Sequence, residues 1–189
     1  NIWALANPWK ILFSWLEDLH RRIRPGRELT LRREYPEKFG IWPALVLFAL
    51  YTWVQDAYPN SDVPAQIAYM TVVYTVITVG GMCIFGKHQW LRKGEAFSVV
   101  FSLLSRFSVT EVRVTDQDAC QRCSEECLDL ENECIDCYEC FAYANTREIN
   151  LRPFAIGLGR NQPVSNDVLA LVVLMLATVT FDGFSATSA

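Results

Sequence analysis

The chain has 189 residues, 51% of them apolar, and carries 17 Lys and Arg against 21 Asp and Glu for a net charge of −4. That balance excludes a nucleic-acid partner, which calls for a basic surface. The apolar residues fall in long blocks, which excludes an ordinary soluble globular domain and predicts membrane-spanning helices.

The predicted fold is all-α: polytopic membrane helices, an interfacial amphipathic helix, and a Cys-rich helical hairpin or loop. Four segments divide it. Residues 1–40 hold the amphipathic helix and a basic linker. Residues 41–109 hold two spans and an amphipathic or half-membrane helix. Residues 110–163 hold an acidic Cys-rich module and a connector. Residues 164–189 hold a third membrane helix, cut short. The chain begins at Asn1 and ends at Ala189 just past an apolar block, so both ends read as cuts in a longer chain.

Asn7-Pro8-Trp9 opens the first element, because Asn caps helices and Pro suits a first helical position. Ile11, Leu12, Trp15, Leu16 and Leu19 make an apolar stripe opposite mostly charged residues. This predicts a helix lying in the membrane interface, ended by Pro25-Gly26. His20 sits in a basic run and reads as a solvated side chain. Ile41–Val54, extended to Tyr58, is the first span, with Trp42, Tyr51, Trp53 and Tyr58 as belt aromatics. Ala65–Phe85 holds no charge and is the strongest span; Gly80 and Gly81 permit close helix packing there. Cys83 reads as a small buried apolar residue.

Residues 1–40 carry eight Lys and Arg against five acids, and residues 86–106 carry four against one. By the positive-inside rule, residues 1–40 and 86–93 are cytoplasmic. Gly94–Val109 has a polar face of Glu95, Ser98, Ser102, Ser105 and Arg106, and its uncharged run is too short to span. It lies in the interface, dips in as a half-helix, or lines a wet cavity; in each case it does not cross. Thr110–Asp118 alternates weakly, as a short strand or loop. Thr146–Pro163 reads as an irregular connector. Val168–Phe181 is the last apolar block. Asp182 follows, either ending the helix at the headgroups or sitting at the membrane boundary as a functional candidate. Glu95, Arg106 and Asp182 are thus the intramembrane polar candidates, expected to face protein or water.

Six of the seven cysteines lie in Cys120–Cys140, spaced C-x2-C-x3-C, six residues, then C-x2-C-x2-C. Two short helices joined by a turn at 128–133 would bring the halves together. Thiolates so placed bind zinc or an iron–sulfur cluster. Alternatively, three disulfides staple the hairpin as Cys120–Cys140, Cys123–Cys137 and Cys127–Cys134. The compartment decides, and the cytoplasmic side favours metal on Cys120, Cys123, Cys127, Cys134, Cys137 and Cys140. Eleven Asp and Glu against three Arg between Glu111 and Glu148 hold thiol pKa values up, which opposes metal loading.

Several motifs resemble a family of bacterial polytopic membrane proteins labelled fenitrothion hydrolase-like. They are Asn1-Ile2-Trp3-Ala4-Leu5-Ala6-Asn7-Pro8-Trp9-Lys10, Tyr35-Pro36-Glu37, Gly40-x-Trp42-Pro43, and Gly80-x-Met82 with Phe85-Gly86. Trp90-Leu91-Arg92-x-Gly94-Glu95-Ala96-Phe97-Ser98-Val99 and Thr180-Phe181-Asp182-Gly183-Phe184 complete the set. The resemblance covers nearly the whole chain except about residues 110–150, where the cysteine module departs from it. It implies the bacterial inner membrane, further spans on either side, a cytoplasmic Asn7-Pro8-Trp9 helix, and partners that are lipid and further helices of its own chain or a larger complex. No catalytic set maps residue by residue.

Three functions follow as expectations. The first is a transport or complex-assembly component with a cysteine-bound structural or redox metal on the cytoplasmic face. The second is a membrane-bound organophosphate ester hydrolase. The third is a structural membrane subunit with a disulfide-stapled docking hairpin. Whether the chain is an enzyme is open at this point.

Overall fold

The structure, a computed structural model, describes residues 3, 6–26, 29–31, 33–58, 63–116, 118, 134–137, 140–141, 144–159 and 164–187. Among them the chain is mostly helical, with six α-helices and one three-stranded sheet. It divides into two units. One is Asn7–Val100 with Pro163–Ala189; the other is Asn1–Ala6 with Phe101–Gln162.

In the helical unit, α1 spans Pro8–Ile23. The Asn7 side chain accepts from the amides of Trp9 and Lys10, satisfying two of the open donors of the first turn. The sequence stripe Ile11, Leu12, Trp15, Leu16 and Leu19 is exposed, whereas Phe13 is fully buried. The helix therefore has two apolar faces, one against protein and one outward. The inner face follows α3, Pro64–Phe85. Trp9 Nε1 donates to Thr75 Oγ1 (3.1 Å), Phe13 packs with Met82, and Glu17 pairs with Lys87 (3.0 Å). Since both residue series ascend together, α1 runs alongside α3 in the same direction.

Helix α2, Trp42–Ala57, opposes α3: Leu47 packs in the cluster holding Met82, while Tyr51 and Tyr74 both meet Phe97. The last carbonyls of α3 have no partner within the helix. Two backbone donors come from outside it, Leu31 N to Cys83 O (2.8 Å) and Arg33 N to Ile84 O (2.9 Å).

At Gly86 the backbone takes φ +88, and the chain doubles back. Helix α4, Lys87–Lys93, returns along α3 with Trp90 against Gly81, where a Cβ would come 2.1 Å from the indole. Helix α5, Ala96–Leu104, then turns again. Phe97 meets Tyr51 and Tyr74, while Val99 and Val100 join Ala44 and Leu171 near the start of α2. The boundary between the units falls within α5, after Val100.

Helix α6, Asn166–Thr187, runs parallel to α2. Asp167 Oδ2 accepts from Ile41 N (2.7 Å), and fifteen residues further along both helices Asp182 lies beside Asp56. Of the two alternatives at Asp182, the helix does not end there: it continues through Asp182-Gly183-Phe184. Gly there costs about 1 kcal/mol in propensity, too little to end a helix. By length and composition α3 and α6 can each cross a membrane. At 22 residues each, they rise about 33 Å.

The other unit corrects the all-α expectation. Strand β1, Thr110–Val114, pairs antiparallel with both β2, Cys134–Ile135, and β3, Arg147–Leu151, in the order β2-β1-β3. Part of the anticipated connector is therefore a strand, and the second half of the cysteine stretch starts as a strand rather than a helix. A turn at Asp136 (φ +56) follows it. Val114, Cys134, Cys137, Cys140 and Ala144 form the core, with Phe141 against it.

Candidate functional site

Among the described residues, the helical unit buries one carboxylate completely. Glu95 stands at the break between α4 and α5, as the cap of α5. Its Oε1 accepts from Phe97 N (3.0 Å) and its Oε2 from Ser98 N (2.6 Å), as a cap does for the second and third helical amides. The Tyr74 hydroxyl also donates to Oε1. Tyr74 lies at the middle of α3.

A second helix start meets the first. Asn7, itself 1% exposed and capping α1, donates from Nδ2 to Ser98 Oγ (2.9 Å). Trp9 stacks on Phe97 and tilts against Tyr74, closing the junction with aromatic surface. Two helix N-termini, with their partial positive charge, thus converge on one buried carboxyl. Burying an isolated carboxylate is costly, and three donors together with these dipoles offset that cost.

The three polar candidates are not brought together. Glu95 is at the junction, Asp182 is exposed beside Asp56 at the far end of α2 and α6, and Arg106 belongs to the sheet-containing unit. Of the six cysteines, Cys134, Cys137 and Cys140 are buried in one core. Cys120, Cys123 and Cys127 lie outside the described residues, and with them both partners' geometry in the three disulfides and in any six-thiol metal site. Among the described residues no group of three or more His, Cys, Asp or Glu is arranged to hold a metal ion.

Sequence reasoning passed over two sets of contacts. Arg152, with its side chain 6% exposed, binds Glu111 (3.1 Å) and Asp136 (3.0 Å) through Nη1. Its Nε and Nη2 donate to the carbonyls of Ser108 and Ser105. An Arg four residues past a stretch of eleven acids was the available signal. The second set is the Asn7–Ser98 pair, 91 residues apart, for which the capping pattern at Asn7 gave half the clue.

No protein-family profile, no curated protein and no solved structure matches the chain.

Proposed function

We propose that this chain forms a membrane-embedded part of a transport protein, with Glu95 as its intramembrane ionisable group. The observation that carries the reading is the fully buried Glu95 carboxyl at the meeting of two helix N-termini, level with the middle of α3. Ionisable groups at such depth mark ion or proton pathways, and broken helices whose ends converge are how transporters build their sites. Outward apolar residues on α3 and α6, such as Val76 (66% exposed) and Val179 (72%), suit lipid contact. On this reading 87–100 is a re-entrant hairpin that enters and leaves by the face bearing Lys87. The test is proton flux into vesicles containing the reconstituted chain and an internal pH dye. Glu95→Gln should slow it by about a hundredfold or more, the effect of removing one acid–base group; flux equal to wild type refutes the reading.

The cysteine module reads as a cytoplasmic domain with its thiols around zinc or an iron–sulfur cluster. Support comes from the convergence of Cys134, Cys137 and Cys140 on one core, and from the basic residues Arg21, Arg22 and Lys87 at the end of the helical unit where the chain leaves it. Metal and free-thiol content of freshly purified protein tests this; six oxidised cysteines without metal would sink it.

A further inference from the structure

We propose that Thr78 and Trp90 hold a water molecule that passes protons between the Lys87 end of the helical unit and Glu95. Thr78 is fully buried, Trp90 is 8% exposed, and neither Thr78 Oγ1 nor Trp90 Nε1 has a hydrogen-bond partner among the described residues. A buried orphan hydroxyl or indole N–H is costly and is rare in folded proteins. Two orphans side by side share one remedy.

Gly81 relates the two positions. Trp90 Cε2, the ring carbon bonded to Nε1, is the atom nearest to a Cβ built on Gly81, at 2.1 Å. Thr78 precedes Gly81 by three residues and shares its face of α3, so the two positions are about 5–6 Å apart. One water making two hydrogen bonds of about 2.8 Å spans that gap. The indole donates to it and the threonine hydroxyl accepts from it or donates to it, which satisfies both groups.

Its position gives it a role. Tyr74, which donates to Glu95, lies one turn further along the same face of α3 as Thr78. In the other direction Gly86 and Lys87 end the α3–α4 hairpin. The ionisable groups on the surrounding helices include Tyr74 and Cys83 on α3, Tyr51 on α2 against Phe97, Lys10 and Glu17 on α1, and Lys87, His88, Arg92 and Lys93 on α4. For each proton delivered, the Tyr74 hydroxyl gives its proton to the Glu95 carboxylate and takes one from the water, which takes one from the medium. Only protons change place.

This inference rests on Glu95 being the proton-carrying group, and the test separates the two ideas. Reconstituted membranes are stepped in pH while the protonated carboxyl stretch of Glu95, identified by its loss in Glu95→Gln, is followed by infrared spectroscopy. Thr78→Val keeps the volume and removes the hydroxyl; it should slow protonation by about tenfold, the loss of one hydrogen bond. Thr78→Ser should restore the rate. A wild-type rate in Thr78→Val overturns the relay. Melting gives an independent reading: with a water bound, Thr78→Val strands the indole N–H and melts lower than wild type. A higher melting point means that the hydroxyl had no ligand and overturns the site. Should Glu95→Gln leave the infrared band unchanged, Glu95 is not the carrier, and the melting comparison still decides the water.

Discussion

Gly80 and Gly81 are neighbours in α3, and their replacement by Ala should move stability in opposite directions. A Cβ on Gly81 would meet Trp90 Cε2 at 2.1 Å, Cδ2 at 2.3 Å and Cζ2 at 2.6 Å, whereas ordinary contact begins at 3.4 Å. The indole has little room to retreat. Gly94 packs on its other edge, where a Cβ would come within 2.5 Å, and Phe85 stacks on it at 5.8 Å. The α3–α4 spacing must therefore open. Overpacking of this kind costs about 1–3 kcal/mol, which for a chain of this size lowers the melting point by roughly 2–12 °C. A Cβ on Gly80 meets nothing within 4 Å. There the substitution only restricts the unfolded chain and favours the helix, a gain of about 0.4–1 kcal/mol. Thermal unfolding of both variants in one detergent, followed by circular dichroism, measures the difference. If Gly81→Ala melts at or above Gly80→Ala, the close approach of α4 to α3 is wrong, and the path that carries Glu95 to Tyr74 goes with it.

Gly40→Ala should be destabilising by about 1–3 kcal/mol, because φ is +43 and a Cβ would lie 2.1 Å from Asp167 Oδ2; a melting point within error of wild type would count against the α2–α6 pin. Tyr35 donates to Gly40 O, and burial, then the charge of Asp167, raises its pKa above the ordinary value. The folded phenol ionises later than the unfolded one, so its contribution is complete below pH of about 10 and is lost as pH rises through the higher folded value. Tyr35→Phe should flatten that alkaline fall in the melting curve, and an unchanged slope refutes the assignment. Arg152→Ala leaves Glu111 and Asp136 facing one another without their cation and should cost about 3–5 kcal/mol; limited proteolysis around β2 should quicken, and unaltered cleavage would contradict the network.

Local chemistry was readable where it acts within one turn. Asn7-Pro8 marked the start of α1, and the charge-free run marked α3, because caps and apolar length are properties of adjacent residues. The end of α6 stayed open in the sequence because hydropathy falls at Asp182, while the backbone hydrogen bonds that define a helix do not depend on hydropathy. Strand β3 was missed for a related reason. Its Ile149 and Leu151 are exposed, so no buried alternation announces it; pairing with β1 makes it a strand. For α1 the apolar stripe that the sequence shows is the exposed face, and the buried face at Phe13 was missed, since a helix with apolar residues on two faces has no single buried face for the pattern to reveal.

Glu95 stood out in the sequence as a charge beside an apolar run, but its partner Tyr74 and the neighbouring Asn7–Ser98 pair did not, because they come together only through two reversals of the chain. Each reversal depends on a glycine whose sequence context is plain. Gly86 turns the chain at φ +88, a region that side-chain-bearing residues avoid. Gly81 lets the returning Trp90 lie against α3, and Gly94 lets the chain pass the same ring before Glu95. A short uncharged run after α3 fits a helix on the surface as well as one folded back inside. The distinction lies in whether a large ring finds a place with no Cβ, and hydropathy carries no information on that.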